Sequence, residues 1–229
     1  MALFGVSVGC GDQQIRPILE DKIILLIGDS TASDVTSGGF VANGIDFFFD
    51  TPLNGCSIVN LAVPGETTSQ QLTRLNTWLS THNGNDVYLV YDAVGINDAA
   101  LGHSLSTIRT NKSSLHSAIH AECPNAHIVQ RLLTPAHRRF LELPDGANRQ
   151  IVWEQYNADL MVNYYSIYKV ITEPILAIGG TENGLDNCLL EQYRLNPDAD
   201  FIHQNDDAKA IEVPEIQAIA INLGFRFAQ

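Results

Sequence analysis

The sequence predicts an α/β protein: one domain, a three-layer α/β/α sandwich around a mostly parallel central sheet of about five strands. Three observations carry this. Short apolar runs cut off by glycine or turn residues recur along the chain, and stretches of helical periodicity separate them. No internal repeat or low-complexity linker divides the chain. The 229 residues, 45% of them hydrophobic, are enough to bury one sizeable core.

The first strand is Ile23 to Ile27, five apolar residues running into Gly28-Asp29-Ser30. A run apolar on both faces suits a buried parallel strand. Taken alone, Ser30 fits a helix cap as well as a reactive group, since serine favours that position. Phe40, Phe47, Phe48 and Phe49 are assigned to the core of the first crossover helix or its loop. Cys56 to Val63 is the second strand. A helix opens after Pro64-Gly65, with Leu72, Leu75, Trp78 and Leu79 at helical spacing. Asp86 to Val94 is the third strand and ends in Gly95-Ile96-Asn97-Asp98. A helix over about 106–121 follows, then a fourth strand, His127 to Leu133. Residues 136–149 are polar and read as a loop or lid edge. Residues 150–167 read as a long helix, Lys169 to Thr172 as a fifth strand, and Gly179 to Pro197 as irregular. An amphipathic helix near 208–223 closes the chain.

Net charge bounds the partners. Only 13 Lys and Arg face 26 Asp and Glu, a balance of −13 that repels phosphate, so nucleic acid and anionic membrane surfaces are poor partners. No stretch approaches the length of an integral membrane helix. The four cysteines, Cys10, Cys56, Cys123 and Cys188, show no Cys-x-x-Cys spacing. They admit three full disulfide pairings, and four separate thiols are the preferred reading. Residues 1–22 read as an N-terminal arm or leader remnant. Ser7-Val8-Gly9-Cys10 resembles the end of a lipoprotein signal, although no basic residue precedes Arg16. An exported location is favoured over a cytoplasmic one. His116 and His120 sit four apart on a predicted helix, but no Glu or Cys completes a zinc set, so no metal is expected.

The chemistry-bearing residues lie where strands end, the place where open α/β sheets bind ligands. They form four blocks in order: Gly28-Asp29-Ser30, a lone Gly65, Gly95-x-Asn97-Asp98, and Asp200-x-x-His203. In this pattern the chain resembles the SGNH hydrolases, also called GDSL esterases and lipases. The blocks span Gly28 to His203. Gln204 stands where that family often has proline, and Pro64 precedes the lone glycine. The resemblance implies a flavodoxin-like sheet, with residues 23–229 as the SGNH domain and no cofactor.

It also implies a role for each residue. Ser30 would be the nucleophile, His203 the base that takes its proton, and Asp200 the group that fixes the imidazole. The backbone N–H groups of Ser30 and Gly65 and the side-chain amide of Asn97 would form the oxyanion hole. Gly65 suits that place because it lets substrate approach the backbone. Asn97 suits it because its NH₂ is a neutral donor.

Two other classes fit less well. An α/β-hydrolase carries its nucleophile after several strands, not the first. A nucleotide binder would meet Asp29 and Asp34 where it needs glycines. The expectation is therefore a serine esterase acting on a small-molecule or carbohydrate ester with a short acyl or acetyl group. A lipase, lysophospholipase or thioesterase of the same family, and a non-catalytic glycan-binding relative, are the alternatives. Activity should fall on the acid side of neutrality, where an imidazole base becomes protonated. Oligomeric state is not legible in the sequence.

Overall fold

The computed structural model describes residues 18–37, 39–162 and 167–228. Cys10 and the leader-like residues 1–10 lie outside the described residues. The central sheet contains β1 (Ile23–Gly28), β4 (Ser57–Asn60), β5 (Val87–Ala93), β6 (His127–Arg131) and β7 (Lys169–Ile171). Their order is β4-β1-β5-β6-β7, and every neighbouring pair is parallel. With the small ribbon strands β2 (Val35–Ser37) and β3 (Phe40–Ala42) set aside, this is the doubly wound order 2-1-3-4-5 of flavodoxin.

Alternation along β1 shows why the sheet needs two covering layers. Ile24 and Leu26 join the cluster that contains Val213, Ile216 and Ile219 of helix α7 (Asp206–Leu223). Leu25 and Ile27 join the other, with Leu75 of α1 (Thr68–Leu79) and Leu115 and Ile119 of α3 (Leu105–Glu122). Successive side chains of a strand point to opposite faces, so an all-apolar strand is buried on both. The helix starts are set locally. Thr67 and Gln70 form a reciprocal capping box at α1, and the Asn205 side chain accepts the Ala208 N–H at α7. Gly224, at φ 108°, ends α7 in the left-handed conformation that glycine favours.

Three expectations are corrected. Among its described residues the crossover after β1 contains no α-helix, only the β2–β3 ribbon and a 3₁₀ turn over Ile45–Phe48. At three residues per turn, Ile45 and Phe48 share the inward side while Phe47 points out and is 68% exposed. Phe40, on the ribbon, is 49% exposed, so only Phe48 and Phe49 of the four phenylalanines join the core.

Residues 136–149 are not a loop but α4 (His137–Leu141) and the start of α5 (Gly146–Val162). Phe140, fully buried with its ring 6.2 Å from Trp153, pins this polar segment to the body. The stretch Gly179 to Pro197 holds a hairpin of β8 (Gly179–Glu182) and β9 (Leu185–Leu189). Its turn is Asn183-Gly184, both at positive φ (50° and 78°), the chemistry that two-residue hairpins require. Cys56, Cys123 and Cys188 are buried free thiols.

Candidate active site

β1 stops at Gly28, where a Cβ would come within 2.9 Å of the Ala32 Cβ. The chain then turns at once: the Asp29 carbonyl accepts the N–H groups of Ala32 and Ser33, each at 3.1 Å. The fully buried Asp29 carboxylate accepts the Thr31 N–H at 3.0 Å and its hydroxyl at 2.9 Å. Burial pushes this carboxyl up, against the pull of the Thr31 bonds and the Arg131 charge. Together these bonds present Ser30 beyond the sheet's carboxyl edge.

Arg131, at the end of β6, braces the same turn from below. It donates to Thr31 Oγ1 at 2.7 Å and to Thr134 Oγ1 at 2.9 Å. Its Nε lies 3.1 Å from Glu212 Oε1 of α7, the oxygen that accepts from the Tyr91 hydroxyl, and burial pushes the Glu212 carboxyl well up. Burial pushes the Arg131 pKa down to about 10, so a guanidinium cation stands fully buried at neutral pH. Lys209 of α7, also fully buried, donates to the Ser33 carbonyl at 2.9 Å and to the Asn43 carbonyl.

The Asp200–His203 turn approaches from the other side. His203 Nε2 is 2.9 Å from Ser30 Oγ, and His203 Nδ1 is 2.8 Å from Asp200 Oδ2. Asp200 Oδ1 accepts the N–H groups of Ile202 at 3.2 Å and His203 at 2.9 Å. Burial alone would raise the Asp200 carboxyl, but the hydrogen bonds from His203 and Ile202 outweigh it and hold it below the usual range. An ionised Asp200 fixes the proton on Nδ1 and leaves Nε2 free to accept from the serine hydroxyl.

The turn is clamped through Phe201. Arg138 lies 4.0 Å above its ring and Arg194 lies 4.8 Å from it, cation–π distances for both. Glu182 of β8 joins the two guanidiniums, accepting from Arg138 at 3.2 Å and from Arg194.

Asn97 lies in the first turn of α2 (Ile96–Ala100), after Gly95 at φ 138°. Its Nδ2 donates to the Glu66 carbonyl at 3.0 Å. Buried Asp98 accepts the Thr68 N–H at 2.8 Å and its hydroxyl at 2.9 Å, which ties this loop to the one bearing Gly65. Gly65 has φ 82°, and a Cβ there would meet nothing within 4 Å.

Ser30, Asn97, Asp200 and His203 line one cavity of about 290 Å³, with Arg139, Phe140 and Leu143 in its wall. Gly65 is not among its lining residues; its neighbour Glu66 reaches the site through the bond to Asn97. A larger open groove of about 620 Å³ runs along α1 past Trp78 and contains none of the residues the four blocks supply as catalytic. His116 is buried with Nε2 2.9 Å from Asp92, whereas His120 is exposed.

Sequence reasoning missed Arg131, Lys209 and Phe140. Arg139 it weighs, in His137-Arg138-Arg139, as a grip for an anionic substrate, but reads as part of a solvated loop. For Arg131 and Lys209 a signal existed. Arg131 lies within the predicted strand His127 to Leu133, and Lys209 lies on the inward stripe of a helix, positions where a charge is unusual without a partner.

No protein-family model matches this sequence, and no curated protein does. Solved structures do. A GDSL-like lipase from Bacteroides thetaiotaomicron matches with a TM-score of 0.61 at 20% identity, over 91% of this chain and 92% of its own. A member of the lipolytic G-D-S-L family from Veillonella parvula gives 0.61 at 14% identity, over 88% and 100%. A psychrotrophic esterase from Pseudoalteromonas gives 0.54 at 17%, over 88% and 98%. At these identities the likeness is one of fold, and this chain has the α/β fold of those proteins.

Proposed function

We propose that this chain is a serine hydrolase of the SGNH group, in which residues 23–229 form the hydrolase domain and a carboxylic ester is cleaved through an acyl-serine intermediate. The observation that carries the reading is the hydrogen-bonded line Ser30–His203–Asp200, at 2.9 and 2.8 Å, inside a cavity at the carboxyl edge of the sheet. The lipase and esterase descriptions of the structural neighbours support it.

In the proposed cycle His203 takes the Ser30 proton as Oγ attacks the ester carbonyl, and Asp200 stabilises the imidazolium that forms. The Ser30 and Gly65 N–H groups and the Asn97 amide receive the oxyanion; Asn97 has a second N–H to offer beside the one held by Glu66. His203 then protonates the leaving alcohol. Water enters by the same route and releases the acid. The cavity, near the lower end of the ~300–1,000 Å³ range of small-molecule sites and walled by Phe140 and Leu143, favours a short acyl or acetyl group.

Ser30→Ala should lower kcat on p-nitrophenyl acetate by about 10⁶, the scale seen when a serine nucleophile is removed. An organophosphonate should label Ser30 alone. Full turnover by the variant would overturn the reading.

A further inference from the structure

The proposed oxyanion donors come from separate loops, and one acidic residue that the ester cycle does not use joins them. Pro64 and Gly65 make a tight turn. The Glu66 N–H donates to the Val63 carbonyl at 3.3 Å and Gly65 has φ 82°, the pattern of a type II turn. Such a turn makes no use of the N–H of its third residue, which leaves the Gly65 N–H for a ligand. The near end of the turn is tied to the serine strand, since the Val63 N–H donates to the Gly28 carbonyl at 3.2 Å. The far end is held through the Glu66 side chain.

Two residues of α1 grip that side chain. Arg74 donates to Oε1 at 2.5 Å and, through Nε, to Oε2 at 3.1 Å. Gln71 Nε2 donates to Oε2 at 2.5 Å. Gln71 is fully buried, and its amide also reaches two strand ends: Nε2 donates to the Leu61 carbonyl at 3.3 Å, and Oε1 accepts the Gly28 N–H at 3.4 Å. The Glu66 carbonyl in turn accepts Asn97 Nδ2 at 3.0 Å. One residue therefore connects the end of the strand that delivers Ser30, the Gly65 turn and the Asn97 amide. A two-point Arg–carboxylate pair fixes direction as well as distance, and oxyanion donors need both.

Resting on the esterase reading, we propose that Glu66 is a positioning residue for the oxyanion hole: its carboxylate, held by Arg74 and Gln71, sets the Gly65 N–H and the Asn97 amide against Ser30. It acts through those donors. Its loss therefore weakens the hold on the tetrahedral intermediate and leaves ground-state binding and the His203 base as they are. Acylation and deacylation both pass through an oxyanion, so kcat reports the effect whichever step limits.

The test measures kcat and KM on p-nitrophenyl acetate, and inhibition by phenylboronic acid, which forms a tetrahedral adduct on a nucleophilic serine. Glu66→Ala should lower kcat by about thirtyfold, short of the 10²–10³ lost with a whole donor, and weaken the boronate by a similar factor. KM and the acid limb of the pH profile should hold. Glu66→Gln keeps one acceptor oxygen and should retain part of both losses. Arg74→Met, at a side chain 40% exposed, leaves Gln71 in place and should cost about fivefold. If Glu66→Ala does not fold, Glu66→Gln and Arg74→Met carry the same comparison. A kcat in the variants equal to that of the unmodified protein overturns the inference, as does a fall in kcat without a matching loss of boronate affinity. Glu66 and Arg74 also line the groove along α1. A rise in KM with kcat held would mean that Glu66 meets substrate there, and it overturns the positioning role. All three outcomes leave the esterase standing. Full turnover by Ser30→Ala overturns the esterase reading and this inference together.

Discussion

Ser30 and His203 meet across 2.9 Å, yet the supports behind them have little in common. Behind Ser30 stand Asp29, Thr31, Arg131, Lys209 and Glu212, all buried, which join β1, β6 and α7 below the site. Behind His203 stand a carboxylate three residues away and a ring held by two arginines, and the Glu182 side chain that links those arginines is itself 20% exposed. Ser30 is therefore fixed by a network that enters the central sheet, and moving it means disturbing that sheet. His203 is held by contacts outside the sheet, where Asp200, Phe201 and Arg194 are buried but Arg138 and Glu182 are partly exposed, and it can be shifted while the sheet stays intact. Damage on the first side should appear in stability, and damage on the second in rate.

The largest expected effect tests the core side. Arg131→Met leaves Glu212, Thr31 and Thr134 without their buried partner and should cost about 3–5 kcal/mol of folding free energy, read by urea unfolding. A loss under about 1 kcal/mol would mean that the turn does not depend on this network. On the surface side, Glu182→Gln removes the charge that holds both arginines on Phe201. It should lower kcat by about tenfold, inside the hundredfold that a displaced group can cost, with KM nearly unchanged and a stability loss below that of Arg131→Met, since Arg194 is buried but Glu182 is partly exposed. If stability fell and kcat held, the division between the two sides would fail.

The smallest expected effect is a slope. Burial pushes the Lys209 ammonium down to about 8 from 10.5, against the opposing pull of Asp206, Asp34 and Asp46 and with a smaller push from Arg131. The folded pKa lies below the unfolded one. Between those values the unfolded chain holds a proton that the folded chain has released, so stability from this group rises with pH across that window, and its burial penalty is full below it. Lys209→Met removes this dependence. The stability of the unmodified protein relative to the variant should grow from pH 8 to pH 10, and a difference independent of pH would place the titration elsewhere.

Much of this molecule was legible in its sequence, and the reasons differ by element. β1 could be read because a strand buried on both faces is apolar along its length, and β5 because only Asp92, bonded to Lys112, interrupts its apolar and aromatic run. The β8–β9 hairpin reads as irregular in the sequence although Asn183-Gly184 is a turn signal, because Gly179-Gly180 and Asp186-Asn187 carry no alternating apolar pattern. The α4 segment looked like a loop because three polar residues, His137, Arg138 and Arg139, precede Phe140 and Glu142 follows close by, and the value of that one anchor depends on Trp153, which the chain supplies later. At the site, residue types and order pointed to Ser30, Asn97, Asp200 and His203, since few side chains can serve as nucleophile, base and neutral donor. Their common cavity could not be read, nor the fact that Gly65 lies outside its lining.

The sequence by itself determined the layered α/β fold, the strand that delivers Ser30, and the local Asp200–His203 pair, because each depends on periodicity or on residues close along the chain. Only the tertiary structure decided that His203 reaches Ser30 across 173 positions, that Arg131 and Lys209 lock the serine turn, and that Arg139 faces the cavity. Those are contacts between segments far apart in the chain. Their partners are chosen by how the layers pack, and a one-dimensional pattern does not record that choice.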